Sequence, residues 1–245
     1  MAPRPSPRTM RGAAAHRVAG YSPDQREASA RVNMLWISIA VGIVFGALGA
    51  AAERLASVWP ADEASRRPIG LRTIALAGAS GAASAAVVAR SALPWWATAA
   101  YLLLLVPLVI LTATDLEQRR LPHIVLDPLI LAAAAFVPFN PGVEPLMALI
   151  GAGAAVGFLG VLALVVRGGL AVGDLYLVAP LGLMLGWPGV FTALFAAAFM
   201  AAATSILLLA TRRVGMRSYI PFGPFLIGGA VLALLVDSRM LVVVR

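Results

Sequence analysis

The sequence consists mainly of long apolar runs separated by short polar segments. At a helical rise of about 1.5 Å per residue, most of these runs are long enough to cross the ~30 Å hydrocarbon core of a bilayer. They are too long for transmembrane β-strands, which use about 9–11 residues. We therefore predict an all-α fold, a polytopic transmembrane helical bundle with about eight spans. The predicted spans cover residues 34–52, 73–89, 95–114, 124–139, 146–166, 170–187, 188–210 and 220–236.

The composition agrees with this prediction and excludes several other classes. Hydrophobic residues make up 61% of the chain and charged residues only 12%, whereas a soluble domain has about 45–50% and about 25%. A soluble globular enzyme is therefore excluded. The chain contains no cysteine, which excludes disulfides, a cysteine-ligated zinc ion and thiol catalysis.

The net charge of +8 comes from 19 basic residues, all of them arginine. In a soluble domain this excess would suggest nucleic acid, but here the arginines lie between apolar runs, so we expect no nucleic-acid partner. If each run crosses once, ten arginines share one face and Arg90 alone lies in the interior loops of the other. The positive-inside bias then places the arginine-rich face in the cytoplasm. These ten are Arg54, Arg66, Arg67, Arg72, Arg119, Arg120, Arg167, Arg212, Arg213 and Arg217.

Three regions follow one another along the chain. Residues 1–33 are rich in arginine and proline, have no apolar period and are predicted to be a disordered tail. Residues 34–94 hold the first spans and a short polar loop, and the run at 34–52 is too far from the start for an ordinary signal peptide. Residues 95–245 hold the remaining spans. If successive polar segments alternate strictly between the two faces of the membrane, the six arginines of the tail lie outside the cytoplasm, against the positive-inside bias.

Two acidic residues, Asp115 and Asp174, lie within apolar sequence. Carboxylates at membrane depth are costly, which makes each of them a functional-site hypothesis. Both are predicted at the cytoplasmic ends of their helices, where they can face each other. Two carboxylates that share a site do not both ionise cheaply, so an ionised base and a protonated acid could together activate water for peptide hydrolysis. This chemistry needs no cofactor and no metal; on composition alone, an Asp–Arg pair or a helix-end carboxylate is an equally good interpretation.

Three segments decide between these interpretations. TDLEQRRLPH at 114–123, GGLAVGDLYL at 168–177 and YIPFGPFLIGG at 219–229 occur in the order and spacing of the prepilin peptidases, which are bacterial membrane aspartic proteases of the GxGD type. The chain resembles this family over about residues 95–236, so 95–245 is predicted to be its catalytic membrane domain.

The resemblance implies that Asp115 and Asp174 are the catalytic pair. It further implies cleavage of the leader peptide of type IV prepilins or pseudopilins at the cytoplasmic face of the bacterial inner membrane, with the lipid bilayer and the prepilin as partners and no cofactor. The motif and substrate-binding candidates are Gly169, Ala171, Gly173, Pro122, Pro221, Gly223 and Pro224. The two prolines of the third segment could keep its backbone open for pairing with an extended substrate, or could form a turn that begins a helix.

The chain departs from the family pattern at several positions. Ala171 replaces the first glycine of GxGD, and Tyr176 stands where the family often has lysine. The larger members have a cysteine-rich region between their first two spans, associated with N-methyltransferase activity. This chain has a short loop there and no cysteine, so the resemblance does not extend to that activity. Ala171 motivates one alternative, an inactive relative that binds prepilins; the embedded aspartates motivate another, a small proton-coupled transporter. No HExxH or GxSxG motif occurs, so a metalloprotease or serine protease is not expected.

Overall fold

The computed structural model describes residues 23–59, 69–165, 171–212 and 221–237. These residues form seven α-helices and one short 3-10 helix, so the all-α prediction is confirmed, and each of the eight apolar runs is helical over most of its described length. The elements are α1 (Pro23–Ala56), α2 (Leu71–Arg90), α3 (Trp95–Gln118), α4 (His123–Phe136), the 3-10 turn (Val137–Phe139), α5 (Pro145–Val165), α6 (Val172–Ala210) and α7 (Gly223–Val236).

Five helices in the described part of the chain are long and apolar enough to cross a membrane. They are α2, α3, α5, α6 and the Ala28–Ala56 part of α1. This count is smaller than eight because α4 and α7 have only 14 residues each and because two of the predicted runs meet within α6. The protein is therefore a multi-pass membrane protein, in agreement with its hydropathy.

The first helix begins earlier than the composition predicts. Residues 23–33, which the sequence pattern assigns to the disordered tail, form the start of α1, whereas residues 1–22 lie outside the described residues. Gln, Arg, Glu and Ala in this stretch are good helix formers, and they extend an apolar helix that needs no new nucleus. The chain divides into two compact units, residues 1–37 and residues 38–245, and the packing discussed below lies within the second.

The two apolar runs of α6 meet at a kink. Gly186 has φ 64° and ψ −176°, and Trp187 has φ −84° and ψ 137°, so neither residue is helical. Pro188 has no N–H, which removes the helical donor of the Met184 carbonyl. The buried Tyr101 hydroxyl replaces it by donating to the Met184 oxygen at 3.0 Å. The kink is thus held by a side chain from α3, the helix that also carries Asp115.

Glycines allow α5 and α6 to pack with their backbones in contact. A Cβ atom on Gly151 would lie 2.6 Å from the carbonyl carbon of Gly186, and one on Gly182 would lie 2.5 Å from the Cα of Ala152. Small residues of this kind commonly form helix interfaces in membranes, where close packing replaces the hydrophobic driving force. This contact holds the first half of α6, which carries Asp174, against α5.

Replacing Gly151 by alanine is expected to lower the free energy of unfolding by about 1–3 kcal/mol, because the added methyl group meets backbone atoms that cannot move aside. The matched control is Gly153→Ala on the same helix, where nothing outside that helix in the described residues lies within 4 Å of the added Cβ. Thermal unfolding of the purified protein in detergent measures both variants. Equal unfolding temperatures for the two would contradict this packing.

Candidate active site

Asp115 lies in the last turn of α3 and is 6% exposed. The helix ends at Gln118 because the next residue, Arg119, adopts the left-handed conformation with φ 54° and ψ 37°. The Arg119 N–H donates to the Asp115 carbonyl at 2.9 Å. Pro122 follows and cannot continue the helix, as is common after a helix C-terminus. Asp115 therefore sits at the point where the chain leaves α3.

Asp174 lies in the first turn of α6 and is 2% exposed. Its N–H donates to the carbonyl of Ala171 at 3.0 Å, and its Oδ2 accepts the N–H of Ala171 at 3.3 Å. These reciprocal bonds resemble the capping box, which satisfies donors that have no partner within the helix. An acidic side chain is also favourable at this end of the helix dipole. These local bonds orient Asp174 through residues only three positions apart in the sequence.

Gly223 fixes Asp115 from the opposite end of the chain. It is the first residue of α7, and its N–H donates to the Asp115 Oδ2 at 3.1 Å, across 108 residues of sequence. A Cβ atom on Gly223 would lie 2.6 Å from that oxygen. Only glycine therefore allows this approach of the α7 backbone to the carboxyl group.

Both aspartates line one open cavity of about 370 Å³. Their carboxyl groups are close enough to interact electrostatically, and Arg119 also interacts with Asp115. Gly173 brings the two sides together, because a Cβ atom there would lie 3.1 Å from Leu121 Cδ1. The lining consists of Asp115, Arg119, Arg120, Leu121, Pro122, His123, Ala171, Val172, Gly173 and Asp174.

His123 joins the two sides of the cavity. Its Nδ1 lies 3.2 Å from the Asp127 Oδ1, and its ring meets that of Tyr176 edge-on with centroids 5.0 Å apart. His123 is the first residue of α4 and directly follows Pro122. Its place beside the second motif depends on the fold. Tyr176, at the position where the family often has lysine, therefore packs against the last residue of the first motif.

The structure brings most of the predicted site residues together. Asp115, Asp174, Ala171, Gly173 and Pro122 line the cavity. Gly223 contacts Asp115 directly, and Pro221 and Pro224 flank Gly223 where α7 begins. Gly169 lies outside the described residues, as do Arg66, Arg67, Arg167, Arg213 and Arg217. The catalytic and binding roles of all these residues remain predictions.

Two open questions from the sequence are answered by the backbone. Pro224 lies in the first turn of α7, where Phe222 accepts the N–H groups of Phe225 and Leu226, so this segment begins a helix. Ala171 has φ −80° and ψ 148°, which is ordinary extended backbone. The position does not need the positive φ that glycine would allow, so alanine here causes no backbone strain.

Metal ligands are not grouped in the described part of the chain. Among those residues, no three or more His, Asp or Glu side chains lie together in an arrangement that could hold a metal ion.

Comparison with known proteins gives one family. The model of the type IV leader peptidase family matches residues 102–206. The chain is 35% identical to the prepilin leader peptidase/N-methyltransferase of Aeromonas salmonicida over 156 residues, which is 61% of this chain and 53% of that protein. A protein of the same name from Burkholderia pseudomallei is 33% identical over 169 residues, 67% of this chain and 54% of the relative. A third protein of this name, from Bacillus subtilis, is 29% identical over 137 residues, which is 55% of this chain and 54% of the relative. The chain thus spans about half the length of these curated relatives, and no solved structure matches it.

Proposed function

Because residues 102–206 of this chain belong to the type IV leader peptidase family, we propose that the protein is a membrane aspartic endopeptidase that removes the leader peptide from type IV prepilins or prepilin-like proteins. The observation that carries this proposal is the placement of Asp115 and Asp174 in one cavity, each held by a backbone N–H. The curated relatives that the chain matches are each named prepilin leader peptidase/N-methyltransferase.

The two carboxyl groups share one proton during the reaction. The ionised carboxylate takes a proton from a water molecule while the water oxygen attacks the carbonyl carbon of the scissile peptide bond. The protonated carboxyl group gives its proton to the carbonyl oxygen, which forms a tetrahedral intermediate. When the C–N bond of this intermediate breaks, the departing nitrogen takes a proton from the dyad, and one hydroxyl group of the intermediate returns its proton to the dyad as the new carboxyl group forms. The products are a new carboxyl group and a new amine, with no covalent enzyme intermediate.

The hydrogen bonds of the site suit this mechanism. In each aspartate the backbone donor contacts Oδ2, from Gly223 in one case and from Ala171 in the other. Each bond restrains the plane of the carboxyl group. Neither bond involves the Oδ1 atom of its aspartate. Oδ1 can then contact water or substrate in a defined orientation, which lowers the entropic cost of the reaction.

The arginines support a cytoplasmic location for the site. Arg119 and Arg120 line the cavity, and Arg54 and Arg72 lie at the helix ends that contact the same end of α3. The positive-inside bias assigns such a cluster to the cytoplasm. We therefore place the cleavage reaction at the cytoplasmic face of the bacterial inner membrane, where a basic leader would precede the apolar segment of the substrate.

The alternatives are less well supported. An inactive relative was motivated by Ala171, but that residue has unstrained extended backbone. A proton-coupled transporter would place its acids along a path near midplane, whereas Asp115 and Asp174 lie at helix ends beside an open cavity. The small number of residues between α1 and α2 and the absence of cysteine from the sequence favour the peptidase without the methyltransferase.

Co-expression with a candidate prepilin tests the proposed activity. We expect the prepilin to lose its leader, which a shift in gel mobility and the intact mass of the pilin both report. Persistence of the full-length prepilin with every cognate substrate, in membranes that contain the folded protein, would contradict the peptidase. Proton flux into vesicles without cleavage would favour the transporter instead.

A further inference from the structure

The C-terminal end of α1 depends on a side chain from α3. The last carbonyl groups of a helix have no donor within the helix and need other partners. The carbonyl of the buried Ala56, the last residue of α1, accepts the side-chain amide of Gln118, which is the last residue of α3. Three local bonds satisfy the others: Ser57 N–H to Glu53 O at 3.2 Å, Ser57 Oγ to Arg54 O at 2.7 Å, and Trp59 N–H to Leu55 O at 2.9 Å.

A second contact joins the same turn of α3 to α2. The Glu117 carboxylate lies 3.2 Å from the Arg72 guanidinium, which belongs to the first turn of α2. The Glu117 side chain is only 11% exposed, whereas that of Arg72 is 66% exposed. An ion pair with one largely buried partner is less screened than a fully exposed pair. The α1 and α2 ends are also joined to each other, since Thr73 donates to Glu53 at 2.9 Å.

Both contacts act on the turn that carries Asp115. Gln118 lies three residues after Asp115, and residues spaced by three or four are neighbours on one helix face. Gln118 and Glu117 therefore restrain the position and rotation of the last turn of α3. Their partners Ala56 and Arg72 lie before residue 102, where the family match begins.

We propose that Gln118 and Glu117 are positioning residues, which tie the last turn of α3 to α1 and α2 and so hold the Asp115 carboxyl group beside Asp174. The inference rests on the proposed peptidase function and extends its active-site framework to the first two helices. A displacement of about 1 Å at a catalytic group can lower a rate about 100-fold. Small movements of this turn are therefore sufficient to affect catalysis.

Kinetics of variants test the proposal. Gln118→Met keeps the length of the side chain and removes its donor, so we expect kcat to fall about 10- to 100-fold while KM, set by the cavity, changes little. Arg72→Glu and Glu117→Arg should each lower kcat, and the double variant with the charges exchanged should recover most of it. The matched control is Arg90→Met, which removes a bond from Arg90 Nε to the Leu235 carbonyl at the other end of α2 and should leave kcat unchanged.

A distance measurement separates positioning from stability and from activity. Because the chain has no cysteine, the paired substitutions Arg120→Cys and Val172→Cys can carry two spin labels, one on each side of the cavity. Electron paramagnetic resonance should give a narrow distance distribution in the otherwise unaltered chain and a shifted or broader one with Gln118→Met. An unchanged distribution, or a rise in KM with kcat intact, would overturn the proposal. Failure of the unaltered chain to cleave any prepilin would contradict the proposed function, and the distance result would still decide whether Gln118 positions the turn.

Discussion

Replacing Gly223 by alanine is expected to lower the rate of leader removal about 100-fold, because the added methyl group displaces the Asp115 carboxyl group, which we propose to be catalytic, and a displacement of about 1 Å can have this effect. The methyl carbon would lie 2.6 Å from Asp115 Oδ2 and 3.2 Å from its carboxyl carbon. Relief of this contact requires α7 or the Asp115 side chain to move, and either movement weakens the 3.1 Å bond from the Gly223 N–H. Time courses of prepilin cleavage in membranes with equal amounts of protein measure the effect.

Gly228→Ala is the matched control on the same helix. A Cβ atom on Gly228 would lie 3.2 Å from the terminal methyl of Met200, and this flexible group can move aside. We expect cleavage by this variant to stay within about threefold of the unaltered protein. If Gly223→Ala cleaved as fast as Gly228→Ala, the contact between α7 and Asp115 would have no catalytic importance.

Hydropathy alone predicts most of the fold. The apolar runs are long, and a helix is the structure that satisfies their backbone groups in lipid, so the all-α prediction needs no knowledge of tertiary contacts. Asp115 and Asp174 are recognisable because so few carboxylates occur in apolar sequence. The Asp174 cap is also local, since it involves residues only three apart.

The long-range features could not be predicted from the same patterns. The Gly223 bond to Asp115 joins residues 108 positions apart, and the Gln118 bond to Ala56 spans 62 positions. The hydropathy of Gly223 and of Gln118 does not distinguish either residue from others that could occupy the same position. The kink of α6 shows the same limit, because Pro188 signals a lost hydrogen bond but does not identify Tyr101 as the replacement donor.

The division of α6 into two helical segments is a feature that the sequence does predict. The runs at 170–187 and 188–210 are separated by Trp187 and Pro188, which predicts two spans. In the structure Gly186 and Trp187 are not helical, so two helical segments of α6 meet at a kink at this division. Ala171 is the opposite case, because residue identity alone suggested a loss of backbone freedom, whereas its φ of −80° shows that no such freedom is used.

The largest effect is expected from the aspartates themselves. Asp115→Asn and Asp174→Asn should each lower the rate of cleavage at least about 1,000-fold, because an amide of the same shape can neither accept the proton of water as a base nor donate one as an acid. Both variants should fold, since asparagine keeps an oxygen that can accept the N–H of Gly223 or Ala171. The rate of appearance of the mature pilin measures the loss.

Asp127→Asn provides the same chemical change outside the proposed dyad. Asp127 lies four residues after His123, which lines the cavity, and contacts that histidine. The Asp127 side chain is 61% exposed. We expect its replacement to change cleavage by less than about threefold. A comparable loss in this variant would show that the substitution acts through general electrostatics or folding.

The most direct measurement is mass spectrometry of a purified prepilin incubated in liposomes with the purified protein or with either asparagine variant. The proposed mechanism predicts that the unaltered protein and Asp127→Asn both release the intact leader and the mature pilin from a single cut, and that Asp115→Asn and Asp174→Asn release neither. Cleavage at the same bond by both Asp115→Asn and Asp174→Asn, at rates close to that of the unaltered protein, would contradict the two-aspartate site.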